Sequence, residues 1–169
     1  MGLLVPYDGS ALSKAALIRA AQFDEILEEG VTTITVVPRN NVKYARERGW
    51  IGDDDAFDEE TVLANLRETI DVIAPDVTTE FVVVGRGAPY GTIANRIRRY
   101  ARNHDVSIVF IGSENAGRMV GSLSVGSAVS AGGGYDTMIV SQPVPSKVKK
   151  LEEALPSEEL LEEEVADAT

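Results

Sequence analysis

Five short runs of β-branched and other apolar residues alternate with stretches whose apolar residues recur at helical spacing, and this alternation limits the fold more than any other feature. The first run, Leu3 to Pro6, stops at Asp8-Gly9-Ser10, and Ala11 to Leu27 then sets Ala16, Ala20 and Phe23 at helical intervals. Gly30 ends that helix, Val31 to Val37 reads as a second strand, and Pro38 closes it. From Asp58 the period is helical again, with Val62, Leu66, Ile70 and Ile73 on one face before Ala74-Pro75. The strand Thr78 to Val84, a turn over Gly85 to Pro89, and a helix striped by Ile93, Ile97, Tyr100 and Ala101 follow. Val106 to Ile111 is a buried strand and Asp136 to Val140 the last one. Between these, Arg39 to Phe57 has no clean period and predicts a long excursion with some helical turns. Gly112 to Ser127 is rich in glycine and serine, leading into a short small-residue helix to about Gly132.

Continuous apolar strands have to be covered on each side, so the alternation predicts an α/β, single-domain, doubly wound five-stranded parallel sheet with right-handed crossovers and helices on both faces. In such sheets ligands bind at the carboxyl ends of the strands. With 169 residues there is room for one such domain, over 1–141, followed by a tail over 142–169. The tail holds eight acidic residues against three lysines, a net of −5. It reads as a solvated, partly disordered segment, or as a helix that docks through Val148, Leu151 and Leu155.

Composition closes several classes of function. There is no cysteine, which removes disulfides, cysteine metal centres and thiol nucleophiles and fits a cytoplasmic setting. A net charge of −11 repels nucleic acid and anionic membranes, and no window approaches the apolar length of a membrane helix. The chain is thus expected to be soluble, with neither nucleic acid nor membrane as partner. Only five of the 16 basic residues are lysines, a scarcity that resembles proteins of halophilic organisms.

Two segments end strands with residues suited to a nucleotide. In Pro6-Tyr7-Asp8-Gly9-Ser10, a carboxylate at a strand end can accept hydrogen bonds from ribose hydroxyls; equally, Asp8 or Ser10 can be an N-cap for the next helix. In Gly112-Ser113-Glu114-Asn115-Ala116-Gly117-Arg118, with Gly121, Ser122, Gly126 and Ser127 beyond, glycines allow the backbone to approach phosphate oxygens, while Arg118 and Ser127 add donors. This is a phosphate cradle or a plain flexible loop; it is neither a Walker A loop nor a dinucleotide G-x-G-x-x-G.

Leu4-Val5-Pro6-Tyr7-Asp8-Gly9-Ser10, then Gly87-x-Pro89-x-x-x-Ile93, then Val109-x-Ile111-Gly112-Ser113 leading to Gly126-Ser127, together resemble the universal stress protein family over about residues 2–141. The resemblance implies the strand order 3-2-1-4-5, dimerisation through the last strand and, in many members, ATP or AMP, with or without Mg, at the strand ends. Carried over by motif, Asp8 would hold ribose, Val37 or Pro38 would pack on adenine, and Gly112, Gly126 and Ser127 would contact ribose and phosphates. The nucleotide-binding subgroup has a second glycine where this chain has Asn115, and a loop shorter by one residue. Gly117 can take that role in a refolded loop, and asparagine tolerates left-handed backbone. The expected function is a cytoplasmic, homodimeric, adenine-nucleotide-binding stress-response module for which catalysis is not needed. The alternatives are a nucleotide-free dimeric adaptor and a slow ATPase.

The remaining candidates read as surface features. His104 lies in a polar turn with no second histidine, and Asp53-Asp54-Asp55 with Asp58 to Glu60 lacks calcium-loop spacing. Arg96, Arg98, Arg99 and Arg102 concentrate charge on one helix, as surface ion pairs or as a patch for a polyanion.

Overall fold

A computed structural model describes residues 1–112, 129–130 and 133–143. Among the described residues the elements run in the order β1 (Gly2–Pro6), α1 (Ala11–Leu27), β2 (Val31–Pro38), α2 (Val42–Glu47), α3 (Glu59–Ile73), β3 (Thr78–Val84), α4 (Tyr90–Asn103), β4 (Val106–Gly112) and β5 (Asp136–Val140). The five strands form one sheet of order β3-β2-β1-β4-β5 with every pairing parallel, the architecture and order expected.

Residue parity along each strand sorts the core into two halves. Leu3, Val5, Val37 and Phe110 point to one face, where they pack with Ala16, Leu17 and Ala20 of α1 and Val62, Leu66 and Ile70 of α3. Leu4, Ile34, Val36, Val109 and Ile111 point to the other, against Ile93, Ala94, Ile97 and Ala101 of α4. A strand buried on both sides needs no polar face, which is why β1 reads as continuous apolar sequence. Two buried threonines break that pattern and are hydrogen-bonded: Thr35 donates to the Tyr7 carbonyl at 2.7 Å, and Thr33 bonds with Thr79 at 3.4 Å.

The helices begin where side chains satisfy their first amides. Ser10 caps α1, accepting from the Ser13 amide at 3.2 Å. Asp58 caps α3 in the same way and also accepts the Thr61 hydroxyl, contacts that hold its carboxyl below the ordinary carboxylate range. Asp58 thus stands just outside α3 rather than in it. Within the stretch from Arg39 to Phe57, the helical turns are those of α2, started by Asn41, whose side chain accepts from the Tyr44 amide. Asp55 accepts from the Gly52 amide at 2.9 Å, so part of the acidic run folds into a local turn.

β4 ends against the start of α1. A Cβ on Gly112 would lie 2.6 Å from the Ser13 amide nitrogen and inside the van der Waals reach of the Leu12 carbonyl. Both are backbone atoms and cannot rotate away. Gly112→Ala is therefore expected to force the strand end from the helix, at a cost of about 1 to 3 kcal/mol. Urea unfolding checks this, and an unchanged midpoint would show that β4 can shift freely.

Candidate functional site

At the carboxyl edge, β1 has β2 on one side and β4 on the other, and the chain leaves the two flanks in opposite directions around the sheet. A cavity of about 110 Å³ opens there. A single water occupies about 10 to 15 Å³ by the same measure, so several waters or one heterocycle fit. Its walls are Ile34 and Val36 of β2, Ile93 and Ile97 of α4, Ile111 of β4, and Val129. Among the described residues, Pro6, Tyr7, Asp8, Ser13, Tyr44, Arg48 and Gly112 form the rest of the lining. An apolar slot with a few polar groups at its lip is the usual build of a small-molecule site.

The turn after β1 is fixed by its own polar groups. Asp8 Oδ1 accepts from the Ser10 amide at 2.9 Å, Ser13 Oγ donates to the Ser10 carbonyl at 3.0 Å, and the Asp8 amide donates to Ser13 Oγ at 3.4 Å. Gly9 supplies the left-handed backbone (φ +81°) that this turn requires. Of the two residues that could cap α1, Ser10 does so, and Asp8 keeps Oδ2 directed to Arg48, whose Nε is 3.8 Å away. The indole N–H of buried Trp50 donates to the Asp8 carbonyl at 2.7 Å, which ties the α2 side of the cavity to β1.

Tyr7 lies beneath this turn. Its amide donates to the Ile34 carbonyl at 2.9 Å, and its hydroxyl donates to Thr69 Oγ1 at 3.1 Å. Burial pushes its phenol above the ordinary value, the Asp8 carboxylate adds to the rise, and the Thr69 bond opposes it.

Pro6, Tyr7, Asp8 and Gly112 come together in the lining of this cavity, and the other sequence candidates divide into two groups. Val37 and Pro38 do not line the cavity among the described residues. Val37 is fully buried on the α1/α3 face, and its neighbour Val36, one pleat position away, faces the slot with Ile34. Ser113, Asn115, Gly117, Arg118, Gly126 and Ser127 lie outside the described residues, as does the tail beyond residue 143. The sequence reading missed Ser13, Tyr44 and Arg48. Only the four-residue spacing of Tyr44 and Arg48, which puts them on one helical face, hinted at a pair.

The other polar features stand away from this cavity. His104 stacks on Tyr100 with ring centres 3.9 Å apart, and its Nδ1 lies 2.9 Å from the Tyr100 carbonyl. Arg96, Arg98, Arg99 and Arg102 line a separate polar cleft with Thr92, Asn95 and Asn103. None of these arginines has a carboxylate partner among the described residues, and Arg98 instead donates to Asn95. No described helix is long and apolar enough to cross a membrane.

The sheet order, the two helical layers and the crevice at the carboxyl edge define a doubly wound α/β protein of the 3-2-1-4-5 class. The sequence model of the universal stress protein family matches residues 2–131, and the chain belongs to that family. Among solved structures, a universal stress protein in complex with cAMP is 19% identical, with a TM-score of 0.54 over 83% of this chain and 96% of the other. The universal stress protein of Archaeoglobus fulgidus is 17% identical, with a TM-score of 0.53 over 83% and 93%. The structure of the A. fulgidus universal stress protein in complex with dAMP is 16% identical, at 0.50 over 82% and 95%. Likeness at this level of identity establishes the fold. No match was found among the curated proteins.

The raised Tyr7 phenol gives a prediction with a definite sign. Because its folded value lies above the unfolded one of about 10, the neutral ring favours the fold fully below that pH. That contribution is lost as pH rises through the folded value. Urea melts across the alkaline range should show stability falling above about pH 10 and falling less steeply in Tyr7→Phe. Equal slopes in the two proteins would assign the alkaline loss to Tyr100 and Tyr135, which are also raised by burial.

Proposed function

We propose that the protein binds an adenine nucleotide, AMP or ATP, at the carboxyl edge of its sheet and acts as a homodimeric stress-response module in the cytoplasm. The observation that carries this reading is the join of an apolar slot to the Asp8 carboxylate within one cavity. A purine face is satisfied by Ile and Val walls, whereas ribose hydroxyls need an acceptor such as Asp8 Oδ2 at the strand end. Relatives described as bound to cAMP and dAMP support the same ligand class for this chain. A binding role needs no catalytic base, and phosphate contacts would come from the segment after Gly112, Mg being optional.

A nucleotide-free adaptor is the second reading, favoured by Asn115 at the place of the family's second glycine. Calorimetric titration of AMP and ATP into the nucleotide-free full chain separates the two. Binding is expected; no heat and no competition at millimolar ligand would select the adaptor, and ADP accumulating with time would select a slow ATPase. Asp8→Ala removes the ribose acceptor and should weaken AMP by roughly 5- to 150-fold, the equivalent of about 1 to 3 kcal/mol. Unchanged affinity would place the ribose elsewhere.

The dimer in this proposal forms through β5. Among the described residues that strand is an outer one, paired with β4 alone, and Ile139 on it is 41% exposed. A bare apolar edge is a liability that a second copy covers. Ile139→Lys should halve the mass seen by light scattering at micromolar concentration. A dimer of unchanged strength would move the interface to another surface.

A further inference from the structure

α4 carries charge of one sign. It holds Arg96, Arg98, Arg99 and Arg102 and no carboxylate, in a chain whose net charge is −11. Arg96 and Arg99, Arg98 and Arg102, and Arg99 and Arg102 are three or four positions apart, so each pair repels along the helix surface. The negative end of the helix dipole accounts for Arg102 in the last turn and not for the other three. Arg96, Arg99 and Arg102 are exposed, and with Thr92, Asn95 and Asn103 they line a cleft of about 530 Å³, against about 110 Å³ for the cavity at the carboxyl edge. That is room for a stretch of chain rather than for one small anion.

Few partners for these arginines exist within the chain. Among the described residues, no carboxylate lies within ion-pair distance of them. Outside the described residues the sequence holds Glu114 and the eight acidic residues from Glu152 to Asp167. One glutamate cannot answer four arginines, and eight acidic residues can. The tail also leaves the sheet close by. Tyr135, the residue before β5, packs against the core beneath α4, and the charges of Arg98 and Arg102 act on its phenol, opposing the rise caused by burial. The arginine face therefore borders β5, the strand from which the tail departs. Running back along β5 takes about 16 Å, and the chain from Pro143 to Glu152 spans up to about 30 Å, which leaves about 14 Å to cross to α4. An outside polyanion has to approach a molecule of net charge −11, whereas the tail is held at an effective concentration of about millimolar by its own linker.

We infer that the acidic tail, through the glutamates from Glu152 to Glu164, docks on the arginine face of α4 in the same chain and closes that face to other polyanions. This holds independently of the nucleotide reading, since α4 meets the carboxyl-edge cavity with its apolar side, through Ile93 and Ile97. Three exposed ion pairs shift an equilibrium by roughly 3- to 150-fold together. That keeps the tail docked in most molecules, and salt or a stronger polyanion still releases it.

The test uses the full chain, which has no cysteine, so His104→Cys beside the cleft and Ala166→Cys in the tail take two nitroxide labels and no others. In 0.1 M salt the distance distribution between the labels should be narrow; at 1 M, where the Debye length falls from about 10 Å to about 3 Å, it should broaden. Changing Arg96, Arg99 and Arg102 to Glu should broaden it at 0.1 M, as should changing Glu158, Glu159, Glu162 and Glu163 to Lys, and the two sets together should narrow it again. A wild type already broad at 0.1 M, a distribution that neither set moves, or a combined variant that stays broad overturns the inference. If the arginine variant does not fold, the tail variant decides alone, and an unchanged distribution in it overturns the docking. A distance that appears only after two singly labelled preparations are mixed places the tail on a second copy and overturns docking within the chain. Titration with inorganic polyphosphate reads the closing role. Changing the same four glutamates to Gln should tighten polyphosphate binding by roughly 3- to 150-fold. Neutralising the exposed Glu25, Glu28, Asp53 and Asp54 instead should tighten it far less. Equal affinity in wild type and tail variant, no binding by either, or equal tightening in the two neutralised variants overturns that role.

Discussion

Burial of β1 on every side is the constraint on which the rest of the molecule depends. Its five residues pair with β2 and β4, and its faces are closed by α1 and α3 below and α4 above. A parallel strand in that position has no solvent to fall back on, so each backbone group has to find a neighbour and each side chain an apolar contact. Leu3, Leu4 and Val5 meet the second demand with exposures of 1% or less. The first is met by a register that aligns Leu3 with Val31 on one side and with Ile108 on the other. Helices and loops are then placed by what remains, since each must cover a given part of this strand and its neighbours.

The site follows from that placement. Where β1 ends, the crossovers diverge; the Tyr7 amide still donates to the Ile34 carbonyl of β2, while the Tyr7 carbonyl and the backbone of Asp8 turn to side chains. Thr35 of β2, Trp50 beyond α2 and Ser13 of α1 supply those bonds, each reaching the turn from a different part of the chain. The polar groups that shape the lip are thus first of all answers to the unpaired backbone of a buried strand. Asp8 is the exception: one carboxylate oxygen is spent on the turn, and the other is left facing Arg48 across a gap.

Much of this was legible in the sequence because alternation, caps and turn residues are local signals. The β5 bounds rest on such signals, and the Ser10 cap is one of the two that the turn residues offered, whereas the approach of Gly112 to the backbone of α1 is a tertiary contact that its place in a glycine-rich segment did not show. The choice between Val36 and Val37 was not legible. A strand buried on both faces has no polar residue to mark its parity, and Val31–Pro38 is apolar or β-branched throughout. Tyr44, Arg48 and Trp50 escaped for another reason. The bond from Trp50 to Asp8 spans 42 residues, and the stretch carrying these side chains has a short helix and turns in place of a readable period. Their role is set by tertiary contact alone.

The position of Trp50 has a practical consequence. It is the only tryptophan in the chain, so emission excited at the red edge of the absorption band, beyond the five tyrosines, comes from one indole at a known place. That indole is bonded through its N–H to the carbonyl of Asp8 and lies edge-on to the ring on which Arg48 stacks. Its spectrum responds to the polarity and charge around it, and the charged neighbours on this side are Asp8 and Arg48. The fold has thus placed an unlabelled optical reporter at the rim of its cavity, readable at concentrations far below those that calorimetry needs.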